Sequence, residues 1–136
     1  MKKDIPFEKV KDVAVAIVKE TTENESNPEW SVYLVNLKDV PLEGVIVSSK
    51  GYGDLENGEK VKTSQLRQLF ERVERNDYVK IEPIDSSLFK LSNEFWVSFW
   101  IGKDIFDKKY VFVTESITEK NFTEIPILKK RGVMIK

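Results

Sequence analysis

The amino-acid sequence predicts a mostly β fold in which two antiparallel sheets pack as a sandwich, immunoglobulin-like in outline. Short segments rich in β-branched and aromatic residues follow one another with turn residues between them, and at most one segment shows a helical pattern. The length of 136 residues, with 40% hydrophobic residues, suits a single domain spanning the whole chain. An α+β sheet with one covering helix is the alternative.

The first half of the chain predicts three strands. Residues 12–19 contain six successive apolar residues at 13–18, which favours a central strand. Residues 30–37 form its neighbour, because they too are rich in β-branched and aromatic residues. A third strand follows at 42–49. Gly51-Tyr52-Gly53 and then Asn57-Gly58 predict a loop or hairpin turn, because glycine and asparagine accept a positive φ.

The second half predicts a half-buried strand, a short one-turn element at 86–92, a hairpin and a C-terminal strand region. The strands are expected at residues 78–84, 95–101 and 105–113, with one or two more between 125 and 136. Gly102-Lys103-Asp104 forms the turn of the hairpin, and Gly132 marks a bulge or turn near the end.

Residues 63–74 carry conflicting signals. Apolar residues recur there at the i, i+3, i+4 and i+7 spacing of an amphipathic helix: Leu66, Leu69, Phe70 and Val73. Together with Ser64 as a cap, this pattern predicts one short helix at about 64–74. The competing interpretation makes residues 64–70 an edge strand and residues 71–77 a charged turn.

Charge and missing residue types exclude several kinds of function. Lys and Arg number 22 against 23 Asp and Glu, and this balance disfavours nucleic-acid binding. The absence of cysteine and histidine excludes disulfides, the usual zinc sites, and Ser-His-Asp or Cys-His catalysis. We therefore expect no cofactor and no metal site, and we favour a protein that is not an enzyme. An oxygen-ligand site for magnesium or calcium and carboxylate acid–base chemistry stay open, because they need only Asp and Glu.

The sequence also predicts a cytoplasmic location. Charged Glu8, Lys9, Lys11 and Asp12 stand where a signal peptide would carry its apolar stretch. No apolar run approaches the roughly 20 residues of a membrane-spanning helix. We expect a soluble protein without membrane contact.

Aromatic residues of the predicted hairpin are the main candidates for a binding site. Alternation places Trp96 and Trp100 on one face of their strand and Phe95 and Phe99 on the other, so both faces are apolar. One face forms the core, and the second requires a cover: the other sheet, the 63–74 segment, another protomer or a ligand. Packing within the chain is the favoured interpretation. The candidate binding residues are Trp96, Trp100, Tyr110, Phe112, Lys108 and Lys109.

Three weaker patterns complete the set of candidates. Lys108 and Lys109 beside Tyr110 resemble a single-strand nucleic-acid site, although acidic neighbours dilute the charge. Gly51-Tyr52-Gly53 lacks the further glycines and helix of a phosphate loop and is interpreted as a turn. The carboxylates that could pair as in a glycosidase are Glu82, Asp85, Glu94, Asp104 and Asp107.

Five segments carry a resemblance to a family of small uncharacterised bacterial proteins. They are WSVYLVNL at 30–37, VSSKGYG at 47–53, KTSQLR at 62–67, VKIEPI at 79–84 and NEFWVSF at 93–99. Some members are labelled phenylalanyl-tRNA synthetase subunit alpha, a label that implies an ATP-binding motif arginine and a glycine-rich motif ending in Glu-Arg. This chain contains neither motif, and FERVE at 70–74 is only superficially similar to the second one. We interpret the label as a misassignment, and the resemblance implies one domain and no active-site residue.

From these observations we expect a non-enzymatic domain that binds a protein partner, or a second copy of itself, through an apolar sheet face or an exposed strand edge. A carboxylate-based enzyme, or an accessory role in tRNA charging, is the alternative from the enzyme class. A weak nucleic-acid binder is the third hypothesis.

Overall fold

Two antiparallel sheets form the body of the computed structural model, which describes residues 10–20 and 28–136. In chain order these residues form β1 (Val13–Lys19), β2 (Trp30–Asn36), β3 (Leu42–Asp54), β4 (Lys60–Lys62), β5 (Leu66–Val73), β6 (Asp77–Ile84), β7 (Ser92–Ile101), β8 (Asp104–Phe112), β9 (Thr123–Ile125) and β10 (Lys130–Ile135). Short 3-10 helices lie at Ser86–Lys90 and Glu119–Asn121. Glu8 and Lys9, used above to predict the location, lie outside the described residues.

The strand order confirms the predicted two-sheet sandwich. Sheet A has the order β6-β2-β1-β10-β9, and sheet B has the order β4-β3-β7-β8. Strand β5 pairs with β3 on the same edge as β4, because β7 occupies the other edge. Every pairing between the described strands is antiparallel.

The main core lies between the two sheets. Val13, Val15 and Ile17 of β1 point into it from sheet A, and the alternate residues of β7 enter it from sheet B. The Tyr110 hydroxyl donates a hydrogen bond of 2.6 Å to the Val13 carbonyl oxygen and so links the sheets directly. Burial raises the pKa of the Tyr110 hydroxyl well above its ordinary value, so this donor stays protonated at physiological pH.

A second, smaller core covers the outer face of sheet A. Ala14, Ala16 and Val18 lie on this face of β1, and Ile127 and Leu128 from the β9–β10 connection pack against the same cluster. Strand β1 at the centre of sheet A is therefore covered on both faces by its own chain. This explains why β1 is apolar at successive positions, and the prediction of a central strand is confirmed.

The helix predicted at about 64–74 is wrong, because residues 66–73 form the edge strand β5. Strand β3 is long and needs a hydrogen-bonding partner along the edge that β7 does not occupy. Pairs such as Ile46 with Leu69 and Val47 with Gln68 supply it. Pairing with a distant strand outweighs a weak local helical preference. The edge-strand interpretation is right about the strand, which runs from Leu66 to Val73. The charged turn predicted at 71–77 is shorter than expected, because residues 71–73 belong to β5 and β6 begins at Asp77.

Glycine positions account for the other differences from the predicted elements. Gly51 and Gly53 lie within β3 rather than in a loop, and a Cβ on Gly53 would come within 3.0 Å of Leu91. Asn57-Gly58 is the turn, as predicted. Gly132 is neither a bulge nor a turn. It lies within β10, where a Cβ would be 2.2 Å from the Ile17 carbonyl oxygen, so only glycine permits this approach of β10 to β1.

The predicted hairpin is confirmed with β7 and β8 joined by Gly102 and Lys103. Gly102 has a φ of 60°, which a tight two-residue hairpin turn requires at its first position. The predicted one-turn element is the 3-10 helix Ser86–Lys90, which Asp85 caps by accepting a hydrogen bond from the Ser87 amide.

Asn36 organises the corner at which the chain passes from sheet A to sheet B. Its buried side-chain amide donates to the carbonyl oxygens of Val40 and Glu74 at 2.9 and 3.0 Å, with Val73 also within reach at 3.3 Å. Its side-chain oxygen accepts a hydrogen bond from the Lys38 amide. One side chain thus joins the β2–β3 connection to the β5–β6 turn.

We predict that Asn36→Ala lowers the free energy of unfolding by about 3 kcal/mol, because it leaves several buried carbonyl groups without a donor. Chemical denaturation monitored by circular dichroism measures the change. Asn57→Ala, at an exposed turn position, is the matched control and should cost less than about 1 kcal/mol. Equal losses in the two variants would contradict the role assigned to Asn36.

Candidate functional site

The outer face of sheet B carries two half-exposed tryptophans among other apolar side chains. Trp96 is 46% exposed and Trp100 42%, while Leu69 is 70% exposed. Cross-strand pairing places Ile46 beside Leu69 and Ile105 beside Trp100. We call this surface the tryptophan face and define it by Ile46, Leu69, Trp96, Trp100 and Ile105. No other described residue covers it in the way that the β9–β10 connection covers sheet A.

Trp100 lies against the backbone of β3 at an irregular position. The pairing of β3 with β7 shifts register between Glu43 and Ile46, and Gly44 at this point has a φ of 53°. A Cβ on Gly44 would lie 3.3 Å from the indole ring of Trp100. The absence of a side chain at Gly44 therefore gives the Trp100 ring room to lie close to the sheet.

Trp96 lies between a cation and a serine in one row across the sheet. Its neighbours are Ser48 on β3 and Lys109 on β8. The Lys109 ammonium lies 4.8 Å from the centre of the Trp96 ring, which is a cation–π contact, and 4.0 Å from a carboxylate oxygen of Glu94. Lys50 lies 3.7 Å from the other oxygen of Glu94. One carboxylate thus lies between two ammonium groups beside Trp96.

The margin of the tryptophan face carries charges of both signs. Arg72 on β5 pairs with Glu43 on β3 and with Glu74 in the adjoining turn. Arg67 stands opposite Ser48 in the same row as Trp96, and Asp107 stands opposite Ser98. The surface therefore has an apolar centre and a polar, nearly neutral rim.

The structure does not bring all six predicted binding residues together. Trp96, Trp100 and Lys109 share the tryptophan face. Tyr110 and Phe112 are buried on the opposite face of β8, in the core between the sheets. Lys108 points to that inner side as well, and its ammonium lies 5.1 Å from the centre of the Tyr110 ring. The alternation along β8 separates the two lysines and leaves Lys109 alone beside the tryptophans.

A second candidate site, which the sequence reasoning missed, is a pocket of about 240 Å³ at the edge of the sandwich between β5 and β6. A register shift in the pairing of β2 with β6 leaves Ile81 without a partner and places Glu82 opposite Val32, whose side chain is in the main core. Glu82 is therefore turned inward, where its carboxylate accepts a hydrogen bond of 3.0 Å from the Ser49 hydroxyl. We call this cavity the Glu82 pocket. Its lining also includes Lys50, Gly51, Thr63, Ser64, Leu66, Ile84, Leu88, Asn93 and Phe95.

The five acidic residues considered for a catalytic pair do not converge on one cleft. Glu82 is between the sheets, whereas Glu94 and Asp107 are on the outer face of sheet B. Asp85 caps a 3-10 helix, and Asp104 begins β8 beside the hairpin turn. Within residues 10–20 and 28–136, no three acidic side chains cluster as a metal site would require. The same residues contain no helix that is long and apolar enough to cross a membrane.

Comparison with known proteins gives no further information on function. No protein-family model matches the chain, and no curated protein has a significant similarity to it.

The Glu82 pocket yields a prediction about stability and pH. Burial raises the pKa of the Glu82 carboxyl, and the Ser49 hydrogen bond offsets this only in part. The folded state therefore binds more protons than the unfolded state between about pH 4.3 and the folded pKa, and Glu82 lowers stability progressively as the pH rises through that interval. The stability of Glu82→Gln minus that of wild type should therefore be larger at neutral pH than at about pH 4.

Thermal unfolding of both proteins at the two pH values measures the difference. Glu124→Gln on the exposed part of β9 is the matched control, with the same chemical change outside the pocket. Two results would contradict the effect of burial. One is the same pH-dependent gain over wild type in Glu124→Gln. The other is a Glu82→Gln protein whose stability falls relative to wild type as the pH rises.

Proposed function

We propose that the protein is a self-associating interaction module, and that the tryptophan face of one copy packs against the same face of a second copy. The observation that carries this proposal is the exposure of Trp96 and Trp100 beside Leu69 and Ile105 on one sheet surface. Tryptophan is enriched at the centres of protein interfaces, and contiguous exposed apolar surfaces of this kind are uncommon in proteins without a binding partner.

Charge favours a second copy as the partner. The formal net charge of the chain is −1, so two copies approach without appreciable long-range repulsion. The rim of the tryptophan face carries both signs, with Arg72 paired to Glu43 and Lys109 near Glu94. A rim in which both signs are present can pair with itself around a two-fold axis. It offers little to the continuous negative charge of a nucleic acid.

The size of the surface sets the strength of the association. Four paired strands at a spacing of about 4.8 Å and a rise of about 3.3 Å per residue present on the order of 500 Å². A standard stable interface buries about 800 Å² on each partner. We therefore expect a weak dimer whose population depends on protein concentration, with the two tryptophans as its main contacts.

We predict that Trp100→Glu weakens the dimer by at least about tenfold, because it places a charge at the centre of an apolar contact. Sedimentation equilibrium or light scattering over a concentration series measures the change. The variant should keep the fold, since the Trp100 side chain is 42% exposed in the single chain. Circular dichroism checks this.

Leu55→Glu is the matched control, since Leu55 is an exposed apolar residue in the β3–β4 turn, away from the tryptophan face. It adds the same charge and should leave the association unchanged. A wild-type protein that stays monomeric over the whole series would refute self-association. Equal weakening by Leu55→Glu would show that another surface is responsible.

A further inference from the structure

We propose that the Glu82 pocket binds a small organic amine in its ammonium form. The Glu82 carboxylate would receive the cationic group, and the apolar body of the ligand would lie against Phe95, Ile84 and Leu88. This inference is independent of the tryptophan face, because the pocket lies on the inner side of sheet B, between the edge strands of the two sheets.

The position of Glu82 is the first argument. Strict alternation along β6 would turn Glu82 away from the core, and the register shift at Ile81 turns it inward instead. An inward carboxylate is costly unless hydrogen bonds or a cation compensate it. Among the described residues, Ser49 is the one side chain that donates to it, and no described lysine or arginine forms an ion pair with it.

The polarity of the lining is the second argument. Asn93 directs its amide group to the carbonyl oxygens of Leu88 and Leu91, at 2.9 and 3.2 Å, and its side-chain oxygen accepts no hydrogen bond from a described residue. That oxygen would lie 3.4 Å from a Cβ placed on Gly51, which itself lines the pocket. Lys50 pairs with Glu94 on the outer face. Lys50 is a lining residue, but its ammonium lies beside Glu94, so the Glu82 carboxylate and the Asn93 side-chain oxygen are the acceptors that a ligand would meet. These acceptors favour a ligand with N–H donors and positive charge.

The size and the apolar floor of the pocket together limit the kind of amine that fits. Phe95 and Ile84 are buried, and Leu66 at the mouth is exposed, so the pocket has an apolar floor that solvent reaches at the sandwich edge. Its volume of about 240 Å³ is below the range of roughly 300–1,000 Å³ for drug-sized ligands. A compact amine with one apolar group fits these limits.

The probe for this proposal is 2-phenylethylamine, with 2-phenylethanol and 3-phenylpropionate as neutral and anionic analogues of similar shape. Titration followed by amide chemical shifts should show the amine binding at Ser49, Thr63, Glu82 and Asn93, and binding more tightly than either analogue. Affinity for the amine should fall on acidification as the Glu82 carboxylate is protonated, whereas binding of the alcohol should not change.

Glu82→Gln keeps the shape of the side chain and should weaken amine binding by at least about tenfold. Glu124→Gln, which changes an exposed carboxylate on β9 outside the pocket, is the matched control and should bind the amine as wild type does. Trp100→Glu should also bind it normally, which separates this test from that of self-association.

Three results would overturn the proposal. The first is binding of the anion as tightly as the amine, and the second is unchanged amine affinity in Glu82→Gln. The third is the absence of shifts at the pocket, whether because the amine does not bind or because it binds elsewhere, such as beside Trp96.

Discussion

The packing of Phe95, Val97 and Phe99 between the two sheets is the constraint on which the functional surface depends. All three are buried, and they are alternate residues of β7 whose side chains point into the core. Because a strand directs successive side chains to opposite faces, Trp96 and Trp100 have no route into that core. A one-residue slip of β7 would bury both tryptophans and expose the phenylalanines, so the register that builds the core also displays the tryptophans.

The outer faces of the two sheets differ in whether the chain itself covers them. The β9–β10 connection folds over sheet A and packs Ile127 and Leu128 against the cluster that contains Ala14 and Ala16. Sheet B has no comparable cover among the described residues, because the segment 66–73 extends the sheet sideways as β5 instead of lying across it. We infer that a second copy of the chain supplies the missing cover, as an intermolecular equivalent of the small core on sheet A.

Sequence periodicity was sufficient to predict the sandwich, the β7–β8 hairpin and the placement of Trp96 and Trp100 on one face, because these follow from local alternation. It failed at residues 66–73, where the partner strand β3 lies elsewhere in the sequence and decides the conformation. It also failed at Glu82, since alternation alone puts this carboxylate outside and the register shift at Ile81 depends on pairing with β2. Local sequence carried no signal for the Glu82 pocket.

The most direct test of the account follows the indole N–H signals of the protein through a dilution series by NMR. The chain has 3 tryptophans, and Trp30, which packs against Phe89 in the core region, serves as an internal reference. If the tryptophan face joins two copies, the signals of Trp96 and Trp100 shift with concentration while that of Trp30 stays fixed. Concentration-independent signals for Trp96 and Trp100 would contradict the proposal that the tryptophan face joins two copies of the chain.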